Sequence, residues 1–429
     1  MKKIISLLLC LVFATLSLAG CGKDRIGEDL DDSMKGYEKE RLTLNFYIVG
    51  DTTNDNATVN ARINNYTTKQ FNTSLNIVYC NESDYEQTVI DALDAAKTAI
   101  DSEATDEASL NAIKNKPDFF LINSAEMMQT LYEKGHLADL TEFFYPEIYE
   151  SKVEIYKELK EKPTHKFHLE LIKKCEGLHN QIAKSLMDAS IIYETTYDEQ
   201  TKKDVTNEKN YCVPNNRLIG SYTYLVIDKA AAREVYMGSD SKLSSFTPTN
   251  YGALVTAISE AKGISVDAVK ATYVRTIEGK YEDKAMYEAN GFACNIVEYP
   301  QVAGIEAADS DANIPANVDN VFNSAFAVGA YPDEYSVTDR AMEIIYALNT
   351  DNILHNYLQY GVQDTNYTID AETGFVDYEQ ITNADNKYFM NPIYTGDMFK
   401  LLPNASWTEA DMTNAKNQND QSVVYKNKK

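Results

Sequence analysis

Apolar residues along this chain form short dense runs separated by longer stretches with helical spacing. The dense runs predict buried strands at residues 42–49, 75–79, 119–122, 222–227 and 324–328. The longer stretches predict helices at residues 59–71, 85–100, 126–134, 249–271 and 336–360. Strands that alternate with helices predict an α/β fold built on a mostly parallel, doubly wound sheet.

The region at residues 151–210 departs from this alternation. It is charged and rich in Lys and Glu, and we interpret it as an inserted helical segment that ends in a polar surface loop at 197–210. Residues 303–320 are rich in Ala, Asp and Asn and are predicted as a loop. A chain of 429 residues exceeds the usual size of one core, so we expect two lobes.

The N-terminus has the three-part layout of a secretory signal. Lys2 and Lys3 precede residues 4–18, of which 12 are apolar, and Ala19 and Gly20 follow. The sequence around Cys21 resembles a bacterial lipobox. This resemblance implies a signal peptide at 1–20 and a lipoprotein whose Cys21 carries diacylglycerol and palmitate chains. Residues 21–41 are then a lipidated tether, and 20 extended residues reach ~65 Å.

Composition narrows the classes of partner. The hydrophobic content of 44% and aromatic content of 11% are typical of a globular protein. A formal charge of −25 disfavours nucleic acid and anionic lipid, and it favours a neutral or cationic small molecule. The acidity is equally compatible with a role in solubility alone.

Four cysteines remain after the lipobox, and they are widely spaced. This spacing differs from that of a disulfide scaffold, and buried free thiols are the expectation, with pairing left open. They are Cys80, Cys175, Cys212 and Cys294.

Several ordered fragments resemble the extracellular solute-binding proteins of ABC transporters, of the maltose-binding-protein-like type. In the first half these fragments lie at residues 117–121, 131–141, 213–216, 224–229 and 247–251. In the last third they resemble a carbohydrate-type lipoprotein subgroup and lie at residues 341–351, 360–367 and 388–396. Tyr251 stands where the family usually has Trp.

The resemblance implies the two-lobed type II periplasmic-binding-protein fold, with a hinge and an interlobe cleft. Lobe one would be 42–215, with the insert at 151–210, and lobe two would be 216–323. Residues 324–335 would return to lobe one. Residues 336–429 would form a C-terminal helical region that packs on lobe two.

Ligand contacts are expected on loops that follow strands and on cleft-side tyrosines. Asn and Asp suit sugar hydroxyls because they accept and donate hydrogen bonds, although the same residues also favour turns and caps. The predicted ligand-binding residues are Gly50, Asp51, Asn123, Ser124, Asn215, Asn216, Tyr222, Tyr331 and Tyr394.

The sequence also bears on catalysis, cofactor binding and metal binding. The sequence contains none of the common hydrolase, metalloprotease or phosphate-loop motifs, so we expect no enzyme and no cofactor. His165, His168, Cys175 and His179 share one predicted helix face. His168 and Cys175 would lie ~10 Å apart along the axis, so we expect a packed core face and no metal site.

The sequence therefore predicts a monomeric, lipid-anchored binding protein on the outer face of the cell membrane. It would capture a sugar, an oligosaccharide or a similar neutral solute and deliver it to the permease of an ABC importer. A surface sensor or adhesin of the same fold is the main alternative, and a secreted glycan hydrolase is a weaker one. The identity of the ligand is left open.

Overall fold

The structure is a computed structural model, and it describes most of the chain after residue 40. The described residues are 41–144, 163–198, 202–217, 222–236, 243, 246, 251–279, 286–296, 314–315, 321–331, 335–405, 407–420 and 422–423. The predicted signal peptide at 1–20, Cys21 and the tether at 21–41 lie outside them, apart from Arg41.

The first part of the chain alternates strands and helices as the apolar pattern predicts. Its elements are β1 (Leu42–Val49), α1 (Asn56–Phe71), β2 (Thr73–Cys80), α2 (Glu82–Asp101), α3 (Glu107–Lys114), β3 (Phe119–Ile122) and α4 (Ala125–Glu133). A short 3-10 helix follows at Thr141–Phe143. Asp106 caps the N-terminus of α3 and Ser124 caps that of α4. Each side chain accepts a hydrogen bond from the main-chain amide three residues further along the chain.

The region predicted as a helical insert is only partly helical. Its described residues form α5 (Pro163–Gln181), α6 (Lys184–Ser190), β4 (Ile192–Asp198) and β5 (Lys203–Lys209), and β6 (Val213–Pro214) follows it. The expected loop at 197–210 is therefore mostly one arm of an antiparallel hairpin, in which β4 pairs with β5 along seven residues each. Most residues of this hairpin are polar, so its sequence lacks the apolar pattern from which strands were predicted.

The rest of the chain forms a second sheet and then returns to the first sheet at Ala325–Val328. The second-sheet elements are β7 (Tyr222–Asp228), α7 (Lys229–Val235), α8 (Gly252–Lys262), α9 (Val266–Thr272), β8 (Val274–Gly279) and β9 (Phe292–Ile296). The later elements are β10 (Ile314–Pro315), β11 (Ala325–Val328), α10 (Tyr335–Thr350), α11 (Asn352–Tyr360), β12 (Thr368–Ile369), β13 (Val376–Asp377), α12 (Glu409–Asp420) and β14 (Ser422–Val423). Short 3-10 helices lie at Val321–Asn323, Ala384–Asn386, Pro392–Tyr394 and Met398–Lys400.

Two sheets organise these elements. The five-stranded sheet has the order β2-β1-β3-β11-β6. Strands β1, β2, β3 and β6 run in the same direction, and β11 runs in the opposite direction. The three-stranded sheet has the order β8-β7-β9 and is antiparallel. The chain leaves the first sheet after β6 and returns to it at β11, so the first lobe is discontinuous in sequence.

Each sheet has its own apolar core. The first core joins β1, β2, β3 and β11 to helices on both sides, and the second joins β7 to α7, α8 and α9. Helices α10 and α11 belong to the first core, where Ala341, Ile345 and Leu358 are fully buried. This differs from the expectation that residues 336–429 pack on lobe two, because the apolar faces of both helices are covered by the first sheet and its helices.

A buried ionic cluster ties α5 to α10. His168 Nδ1 lies 2.7 Å from Asp339 Oδ1, and His168 Nε2 lies 3.4 Å from Glu142 Oε1. Burial disfavours the imidazolium, but the two carboxylates outweigh it and raise the pKa of His168 to about 9. The predicted insert is thus joined to the first lobe through both apolar and ionic contacts.

None of the helices within the described ranges is both long enough and apolar enough to cross a membrane.

The connection to the second sheet is held by Asn216 and Asp397. The Met398 amide donates to the Asn216 carbonyl at 3.0 Å, and Asp397 Oδ1 accepts from the Phe399 amide at 3.0 Å. Burial raises the pKa of Asp397 to about 6, although the Phe399 amide and the Asn216 side chain favour the carboxylate. A carboxyl group that titrates near neutral pH therefore sits where the chain leaves the first lobe.

We expect Asp397→Asn to remove a pH-dependent part of the stability. The folded protein binds the Asp397 proton more tightly than the unfolded chain, whose pKa is about 3.9. This contribution is full below pH 4 and is lost as the pH rises through about 6. The free energy of unfolding of the wild type, relative to that of the variant, should fall by up to about 3 kcal/mol over this range.

Urea unfolding of both proteins at several pH values between 4 and 7.5 measures this difference. Asp267→Asn, at an exposed carboxylate of α9, controls for loss of one charge. A wild-type curve parallel to that of Asp397→Asn across this range would contradict the assignment.

Candidate functional site

The five-stranded sheet brings the ends of its parallel strands to one edge. We call this the carboxyl edge: the residues that directly follow β2, β1, β3 and β6 and those that directly precede β11. Ligands of open α/β sheets bind at such an edge. The residues there include Gly50, Asp51, Glu82, Asn123, Ser124, Asn215, Asn216 and Ser324.

Asn123 and Ser124 follow β3 but differ in their contacts. The Ser124 hydroxyl accepts a hydrogen bond from the Met127 amide at 3.0 Å, so it begins helix α4. The Asn123 Oδ1 atom is buried and receives no hydrogen bond from any described residue. A buried amide oxygen without a donor costs about 1–3 kcal/mol, so a donor group of a bound molecule would stabilise this atom once the surrounding side chains admit it.

Asn215 presents a second acceptor of this kind. Its Nδ2 donates to Ser324 Oγ at 2.9 Å and to the Ile393 carbonyl at 3.3 Å. Because a carbonyl only accepts, these bonds set the orientation of the amide. Its Oδ1 is buried and, within the described part of the chain, has no donor.

Both polar atoms of the Asn216 side chain form hydrogen bonds within the fold. Its Oδ1 accepts from the Ala183 amide at 3.3 Å, and its Nδ2 donates to the Gln181 carbonyl at 3.3 Å. These bonds hold the junction of α5 and α6 against the strand that leaves the lobe. The contacts of Asn216 are thus structural, whereas those of Asn215 leave an acceptor open.

Gly50 and Asp51 follow β1, and they differ in their contacts: Gly50 is closely packed, whereas Asp51 is exposed. A Cβ atom on Gly50 would lie 2.7 Å from Tyr79 Cδ1 and 3.0 Å from Met390 Sδ, so close packing requires glycine there. Asp51 is exposed, and its Oδ1 accepts from the Thr53 hydroxyl at 2.7 Å and the Thr53 amide at 2.8 Å. These bonds lower the pKa of Asp51, which keeps it anionic.

A C-terminal stretch, which we call the 388–398 segment, crosses the carboxyl edge. Met390 packs over Gly50, the Ile393 carbonyl accepts from Asn215 and from Ser324, and Tyr394 Oη donates to Glu82 Oε1 at 2.9 Å. Burial and the Glu82 carboxylate raise the pKa of Tyr394, so it remains a neutral donor. The predicted residue Tyr394 therefore joins the edge from a distant part of the chain.

The other two predicted tyrosines lie elsewhere. Tyr331 Oη donates to the Pro117 carbonyl at 3.1 Å, and the Lys116 Nζ atom lies 4.2 Å from the Tyr331 ring centroid. Since Pro117 precedes β3, Tyr331 lies at the opposite edge of the sheet, which corrects its expected place on a cleft-side loop. Tyr222 begins β7 in the three-stranded sheet, where it pairs with Gly279.

Three further polar residues of this region were not among the predicted site residues. Glu82 is the second residue after β2, so the rule that ligand contacts follow strands would have predicted it. Arg217 is buried two residues after Asn215, and burial lowers its pKa to about 10. Ser324 precedes a strand, and only the antiparallel direction of β11 brings it to this edge.

The two described members of the predicted helix face, His168 and Cys175, are both buried on α5. His168 contacts Asp339 and Glu142. Cys175, Cys212 and Cys294 are buried, Cys80 is half-buried, and these four cysteines form no disulfide with one another. The side chains of His165 and His179 lie outside the described part. Among the described residues, no three or more His, Cys, Asp or Glu are grouped so as to hold a metal ion.

The chain gives no match to known protein-family profiles, and none to curated protein sequences. Among solved structures it is similar to the N-glycan transport solute binding protein (NgtS) from Streptococcus pneumoniae. The TM-score is 0.50 at 13% identity, over 90% of this chain and 84% of that chain. The complex of NgtS with Man1GlcNAc gives a TM-score of 0.46 at 14% identity, over 89% and 84% of the two chains.

A cyclo/maltodextrin-binding protein complexed with maltotetraose gives a TM-score of 0.34 at 11% identity, over 90% of this chain and 95% of that chain. The similarity to the first NgtS structure, with a TM-score of 0.50 at 13% identity, concerns the fold alone. The α/β class, the mostly parallel first sheet and the second, smaller sheet agree with it. The chain therefore has the two-lobed α/β fold of the type II periplasmic solute-binding proteins.

Proposed function

We propose that this protein is a solute-binding protein of an ABC importer and that it captures a sugar or an oligosaccharide at the carboxyl edge. The observation that carries the proposal is the position of two buried amide oxygens without a described donor, Asn123 Oδ1 and Asn215 Oδ1, at the carboxyl edge, where ligands of open α/β sheets bind. Sugar hydroxyls are donors that satisfy such acceptors. The formal charge of −25 favours a neutral ligand over an anionic one.

The remaining parts of the proposal follow from the N-terminus and the fold. Lipid on Cys21 would anchor the protein to the outer face of the cell membrane, and the tether at 21–41 would keep it within reach of a permease. The protein would bind its solute as a monomer, without cofactor or catalysis. NgtS is described as an N-glycan transport solute binding protein, which supports testing glycans first.

We expect an oligosaccharide to raise the thermal midpoint of unfolding and Asn123→Ala to weaken that binding. A ligand at 100 times its Kd stabilises the folded protein by about 2.7 kcal/mol. Loss of one hydrogen bond weakens binding by about 3- to 10-fold. Thermal shift followed by calorimetry, with a panel that includes Man5GlcNAc and maltotetraose, measures both effects.

Asn111→Ala is the matched control, because Asn111 is exposed on α3, which leads into the opposite end of β3. It should bind as the wild type does. If no sugar of the panel stabilises the wild type, the carbohydrate part is overturned. If Asn123→Ala binds as tightly as the control, the role of Asn123 is overturned.

We expect Cys21→Ala to release the protein from the membrane, because the thiol that would carry the lipid is removed. Fractionation of expressing cells and mass spectrometry of the N-terminal peptide measure the anchor. Asn111→Ala should stay in the membrane fraction. An unmodified Cys21 thiol in the mature wild type would contradict the lipoprotein assignment.

A further inference from the structure

Phe389 is held on the surface by a rigid stretch of backbone. The exposed fractions of three consecutive side chains alternate: 2% for Tyr388, 54% for Phe389 and 1% for Met390. Tyr388 Oη donates to the Leu358 carbonyl at 2.8 Å, and the Met390 amide donates to the Gln359 carbonyl at 3.3 Å. Both neighbours are thus buried and bonded, so the Phe389 ring cannot turn inwards.

The carbonyl of Phe389 is also fixed, from the direction of the carboxyl edge. Asn54 Nδ2 donates to it at 2.9 Å, and the Asp55 amide donates to the Lys387 carbonyl at 2.7 Å. Asn54 and Asp55 belong to the loop after β1, which also carries the exposed carboxylate of Asp51. The main chain at Phe389 therefore lies beside the loop that follows β1, at the β1 end of the carboxyl edge.

Tyr378 extends this exposed aromatic surface. Its ring centroid lies 6.3 Å from that of Phe389, with an interplanar angle of 78°, and 6.4 Å from that of the buried Tyr360. The Tyr378 side chain is 36% exposed, yet burial and the nearby Tyr360 and Tyr367 hydroxyls raise its pKa. Tyr378 is therefore a partly exposed aromatic side chain next to Phe389.

The distance between strand ends decides what size of ligand reaches both parts of the edge. Neighbouring strands are ~4.8 Å apart, and β1 and β6 are separated by three spacings, so their ends lie about 14 Å apart. Asn215 follows β6, whereas Phe389 lies beside the loop that follows β1. This span is wider than one sugar ring.

We propose that the exposed Phe389 ring, packed edge-to-face against Tyr378, is a stacking subsite for one pyranose ring of an oligosaccharide whose other end lies at the Asn123 and Asn215 end of the carboxyl edge. The apolar face of a pyranose covers an aromatic face, and Asp51 accepts from hydroxyls at the rim of the ring. Isolated exposed aromatics are common on proteins, but two adjacent rings on fixed backbone beside a ligand-binding edge are a preorganised surface. The inference rests on the proposed sugar-binding function and adds the substrate class: an oligosaccharide and not a monosaccharide.

The test measures binding of matched long and short sugars to variants of Phe389. The probes are maltotetraose with glucose, and Man5GlcNAc with mannose. Phe389→Ala should weaken binding of whichever oligosaccharide binds the wild type by about 3- to 10-fold. Phe389→Tyr keeps an aromatic face and should retain the affinity, whereas Phe389→Leu keeps apolar area alone and should not.

Tyr193→Ala is the control, because Tyr193 is 48% exposed on the β4–β5 hairpin. It should bind the oligosaccharide as the wild type does, and thermal unfolding without ligand verifies that each variant is folded. Equal oligosaccharide affinities for wild type and Phe389→Ala would overturn the stacking subsite and leave the sugar-binding function standing. Tighter binding of the monosaccharide than of the oligosaccharide would overturn the substrate class, and absence of binding by any probe would overturn the proposed function as well.

Discussion

The carbonyl oxygen of Ile393 accepts hydrogen bonds from Asn215 and Ser324, and the arrangement of the carboxyl edge depends on this contact. Asn215 stands where the chain leaves the first lobe, and Ser324 stands where it returns. One acceptor from the C-terminal part therefore holds both connections between the lobes. The same bonds orient the Asn215 amide, which leaves its Oδ1 without a donor among the described residues.

The 388–398 segment supports both halves of the proposed site. Its approach to β1 requires Gly50, because any Cβ there would meet the Tyr79 ring and the Met390 sulfur. With Met390 seated, Phe389 must point outwards, and four residues later Ile393 reaches Asn215. The Asn215 amide and the Phe389 ring are thus both positioned by one piece of backbone, and in the proposed site this preorganisation would lower the entropy cost of binding.

Much of the edge could be predicted because parallel strands end on the same side of a sheet. Gly50, Asn123 and Asn215 each follow a strand of one direction, and the structure brings them to one edge. Tyr331 was misplaced because it follows β11, and an antiparallel strand carries its end to the opposite edge. Strand direction depends on pairing between distant segments, and the local apolar pattern contains no record of it.

The sequence by itself determined most of the local elements, since strand and helix periods are properties of consecutive residues, but the polar β4–β5 hairpin did not follow this pattern. It also determined the acidic balance and the lipobox-like N-terminus. Only the tertiary structure decided that α10 and α11 pack on the first sheet and that Phe389 remains exposed. The reason is distance along the chain: Asn54 and Phe389 are 335 residues apart, and their contact exists only when the whole first core is packed.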